Sequence, residues 1–228
     1  MPKNIYRLKD GTEVPGVTTL VKLADDAGGL IGAAAKIGPA YREVWNRETD
    51  IGTAVHDMIV QRLEGRPITN PLEDPDLRTR AYLGYRAAEA WLITSKINPI
   101  EWEVSLVSEK HRFGGQIDMI GRLKDSNEER ACGDLVVVDW KTSKSFYSNM
   151  LTQVAAYREL WNENRPGNPI TGGAYVVRLG KDDGATYPRH YPPWKLDKGW
   201  EYFLLMRRVW GAQKELNEVF KERSARDA

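Results

Sequence analysis

Hydrophobic positions along the chain recur with two different periods. Over residues 51–64, Ile51, Val55, Met58, Ile59 and Leu63 fall on one arc at helical spacing. Gly65-Arg66-Pro67 breaks that pattern, and residues 75–96 resume it as a second, long helix. From residue 101 the pattern changes. WEVSLV, GGQIDMIGRL and DLVVVDW are three strand-like runs within 40 residues, rich in β-branched side chains. The polar loop KDSNEERACGD joins the last two. Residues 147–164 return to helical spacing, GAYVVRL and TYPRHY read as two further strands, and 196–222 as a closing helix. Upstream, residues 1–20 read as two extended pieces around a turn at Asp10-Gly11. An alanine-rich, helical stretch follows over about 17–47, broken near Gly28-Gly29 and at Pro39.

This order predicts an α/β fold with a mixed central β-sheet flanked by helices. The first three strands are too closely spaced for helical crossovers, so they are expected to form an antiparallel meander. A length of 228 residues fits one domain. It divides into an N-terminal helical elaboration (1–50), a core (51–190) and a C-terminal helix (191–228).

Composition narrows the class. Hydrophobic residues make up 41% and charged residues 29%, ordinary values for a globular protein. No apolar run reaches the length of a membrane span, and no apolar leader follows the N-terminus. One cysteine, Cys132, excludes an intramolecular disulfide and a thiolate metal cluster, so no iron–sulfur cluster is expected. A reducing, cytoplasmic setting fits. The net charge of +1 does not advertise nucleic-acid binding, so any such contact must come from local clusters of Lys and Arg. Eight Trp and ten Tyr are many for this length; most are expected in the core, but such residues also supply stacking faces for unpaired bases.

The strand ending in Asp139-Trp140-Lys141 carries the most chemistry. Alternation puts Asp139 and Lys141 on one face and Val138 and Trp140 on the other. Asp118 is a lone charge within an apolar run. If the two strands pair, both aspartates converge, and a divalent cation such as Mg²⁺ or Mn²⁺ would relieve their repulsion. His56, at the edge of its helix's apolar arc beside Gly52, can complete such a site. Gln153 and Tyr157, four residues apart, share a helix face. A glutamine in that apolar stripe needs a partner, which the lysine or a phosphate would supply.

The series Gly115-x-x-Asp118, Asp139-Trp140-Lys141-Thr142 and Gln153-x-x-x-Tyr157 resembles the RecB-like branch of the PD-(D/E)XK nuclease superfamily. Gly52-Thr53-x-x-His56 resembles that branch's helical histidine motif. Val14-Pro15-Gly16-Val17-Thr18-Thr19-Leu20 is similar to a stretch in mitochondrial genome maintenance exonucleases and their phage relatives. Ile117-Asp118 stands where the eponymous Pro-Asp would be, and the chain after 165 carries no matching motif. The resemblance implies a restriction-endonuclease-like core and metal-dependent cleavage of DNA, single-stranded or with free ends. It implies His56, Asp118, Asp139 and the Trp140 main-chain carbonyl as ligands of Mg²⁺ or Mn²⁺. Lys141 would act on the attacking water, and Gln153 and Tyr157 would support it.

Simpler readings stand beside these. Asp139 with Lys141 can be a structural ion pair. Glu103 can be a further ligand or a solvent-facing strand residue. Lys144 and Ser143 can hold a DNA phosphate or lie exposed in a loop. His111 and His190 read as surface residues. The aromatic content and the resemblance favour an exonuclease working in recombination, replication or repair, with no membrane role, and the compact length and lack of a transit peptide fit a phage or bacterial cell. A structure-specific endonuclease and a non-cleaving DNA-binding module remain alternatives. Oligomeric state stays open, as does a recombination or replication protein as partner.

Overall fold

The computed structural model describes residues 4–24, 38–125, 127 and 131–226. Its centre is a five-stranded sheet in the order β3-β4-β5-β6-β7. These strands are Ile97–Ser108 (β3), Phe113–Leu123 (β4), Leu135–Lys141 (β5), Ile170–Leu179 (β6) and Thr186–Tyr191 (β7). The meander β3-β4-β5 is antiparallel, as its short loops require. β5 and β6 pair in parallel, and the crossover between them is helix α4, Ser148–Asn164. β7 returns antiparallel to β6, making the sheet mixed.

β5 is apolar on both faces because both are covered. Leu135 and Val137 face a cluster built with α1 (Val17–Val21), α4 and α5 (Pro193–Arg226), including Tyr157, Leu160, Trp161 and Phe203. Val136, Val138 and Trp140 face a second cluster under α2 (Tyr41–Leu63) and α3 (Pro75–Thr94). There Trp140 meets Trp91 edge-on at 5.3 Å. Such a pair contributes about 0.5–1.5 kcal/mol beyond area burial. Asp74 caps α3 by accepting from the Asp76 and Leu77 amides, with Pro75 in the first turn, where its missing N–H is no loss.

Some expected boundaries move. The helix expected to open at residue 51 opens at Tyr41, so ten residues assigned to the N-terminal elaboration belong to the same rod as His56. Its early turns are mostly exposed, which removes the apolar periodicity that marks 51–64. Glu48 on those turns pairs with the buried Lys181 after β6, and with Arg80 of α3 at 3.0 Å. β3 begins four residues before its expected start. The N-terminal extended pieces are a hairpin, β1 (Tyr6–Arg7) on β2 (Glu13–Val14). The helical stretch expected over 17–47 is α1, short 3₁₀ turns at Lys22–Ala24 and Gly38–Ala40, and the start of α2. The break at Gly28-Gly29 lies outside the described residues. So do the far side chains of the tail KERSARDA.

Two backbone devices set the sheet around its central strand. Gly114 and Gly115 of β4 leave no room for a Cβ. One at Gly114 would stand 2.3 Å from the Tyr6 ring, and one at Gly115 would meet Leu160 and Tyr157. The N-terminal hairpin therefore lies directly on β4, where the Gly114 amide donates to the Pro15 carbonyl at 3.0 Å. Further on, β6 bulges. Leu135 pairs with Ile170 but Val137 pairs with Ala174, and Gly173 in between has φ +85°. This slip sets Lys141 beside Arg178.

Gly173→Ala should destabilise the fold by about 2–3 kcal/mol, because its Cβ would stand 2.3 Å from the Tyr191 carbonyl in a backbone region costly for alanine. Urea denaturation of both proteins checks this; an unchanged midpoint would mean that the bulge tolerates a side chain.

Candidate active site

The pairing of β4 with β5 stops at Met119 opposite Val138. Beyond it the two strands part, and a side chain replaces the ladder: the Trp140 amide donates to Asp118 Oδ2 at 2.8 Å. The fork so opened faces α2. His56 reaches in from that helix, with Nε2 3.2 Å from the Trp140 carbonyl and Nδ1 3.9 Å from Asp118 Oδ2. A proton on Nε2 satisfies that carbonyl and leaves the Nδ1 lone pair facing a carboxylate. The Trp140 carbonyl keeps its second lone pair. Gly52 lets α2 come close at this point, since a Cβ there would lie 3.0 Å from Thr142 Oγ1.

Glu103 comes from the neighbouring strand. The register places it opposite Asp118, between the pairs Trp102–Met119 and Val104–Ile117. Its φ of +51° is left-handed, a strain of about 1–3 kcal/mol that persists only where the surroundings hold it. The side chain is half-buried and accepts from Gln116, which in turn accepts from Asn4. Ligand-capable atoms of His56, Glu103 and Asp118 lie within 4.8 Å of one another. Burial, then the Asp118 carboxylate, raise the Glu103 pKa.

Asp139 lies deeper, with 0% exposure. The Lys141 ammonium stands 2.6 Å from its Oδ2, but no hydrogen bond of normal geometry reaches either oxygen among the described residues. Burial pushes its pKa up to about 6; the ammonium opposes this and the Asp118 carboxylate adds to it. Beneath, Gln153 Nε2 donates to the Tyr157 hydroxyl at 2.8 Å, both groups being buried. Burial, then the Asp139 and Asp118 carboxylates, hold the Tyr157 pKa well above the usual phenol value. Tyr157 is thus a neutral phenol with a proton to donate.

Three carboxylates gathered at one fork beside an imidazole repel one another, and among the described residues the deepest acid is met by the Lys141 ammonium alone. That arrangement fits a divalent cation with oxygen and nitrogen ligands. It does not fit a purely structural cluster, in which buried polar atoms find partners.

The profile of the PD-(D/E)XK nuclease superfamily matches residues 36–222. The chain belongs to this superfamily. Its mixed sheet between helical layers is the restriction-endonuclease-like core expected from sequence. Among solved structures it is similar to LHK-Exo in complex with dAMP, with 15% identity and a TM-score of 0.43, over 80% of this chain and 92% of that one. It is also similar to SSO0001, with 16% identity and a TM-score of 0.29, over 70% and 74%. No curated protein matches the chain. No helix among the described residues is long and apolar enough to cross a membrane.

The fork brings together His56, Glu103, Asp118, Asp139, Lys141 and the Trp140 carbonyl, with Gln153 and Tyr157 as its floor. Glu103 points into the cluster, not to solvent. Ser143 and Lys144 stand apart, beside a small cavity past the end of β5. His111 and His190, expected at the surface, are half-buried. His111 stacks edge-on against Trp200 at 5.0 Å, and His190 Nε2 lies 2.8 Å from the Gly172 carbonyl. Sequence reasoning missed Gln116, which holds Glu103, and Tyr6, which walls the fork. The Gly114-Gly115 pair was the available signal, because adjacent glycines in a strand mark a close approach.

The raised pKa of Asp139 makes its ionised form a burden on the metal-free fold. The folded state binds this proton more tightly than the unfolded chain. The cost is therefore full above pH 6 and fades as pH falls from about 6 to 4. Asp139→Asn should raise Tm by a few degrees at pH 7.5 in chelator, and the gain should vanish near pH 4. Thermal melts at the two pH values check it; equal gains at both would refute the burial cost.

Proposed function

We propose that this superfamily member is a metal-dependent DNA exonuclease acting on single-stranded or frayed ends, in recombination, replication or repair. The observation that carries the reading is the fork between β4 and β5, where His56, Glu103 and Asp118 meet beside the buried Asp139–Lys141 pair. Support for ends and unpaired strands comes from the similarity of Val14–Leu20 to mitochondrial and phage exonucleases. The exposed ring of Tyr147, just past Lys144, adds a stacking face.

His56, Glu103, Asp118, Asp139 and the Trp140 carbonyl would hold Mg²⁺ or Mn²⁺. When bound, such an ion acidifies water and polarises the phosphate. Lys141 shares the sheet face of Asp139 and is partly open to solvent, so its three N–H donors can orient the attacking water. They can also meet the negative charge that grows on the phosphate oxygens. Tyr157, kept protonated by its surroundings, accepts from Gln153 in the floor of the site and would offer its own proton to a bound phosphate. Water adds to phosphorus, the bond to the leaving sugar oxygen breaks, and that oxygen takes up a proton.

Lys141→Ala and Asp118→Ala should each lower cleavage of single-stranded DNA by about 100-fold or more while changing DNA affinity only a few-fold. Gel assays paired with anisotropy measure both, and retained activity in either variant overturns the assigned roles. His56→Ala should raise the metal concentration needed for half-maximal activity; an unchanged titration returns His56 to a packing role. Linear single strands should be degraded with Mg²⁺ or Mn²⁺ and spared in chelator, while circles persist. Equal loss of circles would make the enzyme an endonuclease, and no cleavage with either metal would favour a non-cleaving DNA-binding module.

A further inference from the structure

Three cations stand in a row on the face of the sheet that carries Asp139. Lys141 on β5 pairs in register with Arg178 on β6. Arg178 pairs with Tyr187 on β7, and Val176 with Arg189. Side chains two residues apart on a strand share a face, so Lys141, Arg178, Tyr187 and Arg189 all project to the same side. Neighbouring strands lie about 5 Å apart, so the row runs about 10 Å from the fork to the edge strand.

Each arginine sits over an aromatic ring. The Arg178 guanidinium sits 3.7 Å from the Tyr187 ring centroid, and that of Arg189 sits 4.0 Å from Phe146. A guanidinium stacked by its face keeps its in-plane N–H donors free, and these match the two oxygens of a phosphate. The Tyr187 shelf is itself fixed, because its hydroxyl donates to Asp183 at 2.6 Å. Neither arginine forms a salt bridge among the described residues, and neither does Lys144. Of the nearby acids, Asp182 is engaged with Arg80, and Asp183 with Tyr187 and the Ala185 amide while also feeling the Arg178 charge. A cavity of about 100 Å³ opens between Thr142, Ser143, Lys144, Arg178 and Gly180.

An ion-pair network would have used these arginines against carboxylates, and a core would have buried them. Here they rest on rings and form no salt bridge among the described residues, Arg178 half-buried and Arg189 exposed, on the side of Lys141 away from the acidic cluster. We infer that Arg178 and Arg189, with Lys144, form a track for the phosphates of a single DNA strand, leading from the fork across β6 to the edge at β7. Tyr147 and Tyr187, both exposed, supply ring surface along it. This rests on the nuclease reading of the fork and adds the route by which the strand reaches it.

The test is anisotropy of a labelled oligothymidine in chelator over a salt series, on wild-type protein and on Arg178→Gln, Arg189→Gln and the double variant. Cleavage by each protein is followed in parallel with Mn²⁺. Each substitution should flatten the plot of log affinity against log salt by about 0.7, and the double variant should lose roughly tenfold in affinity or more. Arg178→Lys should restore the slope but only part of the affinity. The exposed Arg66→Gln, far from the row, should change neither. Thermal melts confirm that the variants fold. Wild-type cleavage with unchanged binding in the double variant overturns the track and leaves the nuclease reading intact. A double variant impaired on blunt duplex but not on oligothymidine overturns the single-strand assignment. Absence of both binding and cleavage in wild-type protein overturns the nuclease reading, and the track with it.

Discussion

The fold is organised around a carboxylate that the core does not satisfy. Asp139 lies fully buried at the end of the central strand, met by one ammonium and by no hydrogen bond of normal geometry. A charge so placed is tolerated only if something else in the molecule needs it there. The neighbouring elements answer to that placement. β4 leaves β5 just before the acid, and the Asp118 side chain takes over the hydrogen bond that the ladder gives up. α2 brings His56 to the carbonyl between Asp139 and Lys141. α4 contributes a phenol that its surroundings keep protonated. Three elements thus converge on the end of β5, and the apolar faces of that strand lock them in place.

Much of this was legible because it follows from period and local chemistry. Alternation along β5 sorts Asp139 and Lys141 from Val138 and Trp140, and a spacing of four puts Gln153 and Tyr157 on one face. The antiparallel meander followed from loop length alone. What was not legible depends on geometry that a period cannot encode. Glu103 stands open in the sequence between a further ligand and a solvent-facing strand residue, and only its left-handed backbone and the register against Asp118 turn it inward. The early turns of α2 lack an apolar stripe because little packs on them, so pattern alone cut the helix ten residues short. The arginine row depends on the bulge at Gly173, which shifts β6 against β5. Without that slip the sequence places Arg178 beside no particular residue.

The superfamily assignment fixes the chemistry at a coarse level, and the residues of the fork give it a local form. The acids and imidazole lie on one side of Lys141 and the splinted arginines on the other. A polyanion laid across this face would meet cation-demanding groups at the fork and cation-supplying groups beyond it. The lysine stands at the boundary between the two.

α2 runs unbroken from Tyr41 to Leu63 and carries two attachments on one rod. Glu48 is tied to Lys181 in the turn after β6, and His56, two turns further on, is seated against Trp140. Lys181 follows Arg178 by three residues in the chain. A rigid rod pinned at both places cannot shift at one end alone. The turn beyond Arg178 and the imidazole are thus positioned by the same rod, and the spacing of Glu48 and His56 along it sets one relative to the other.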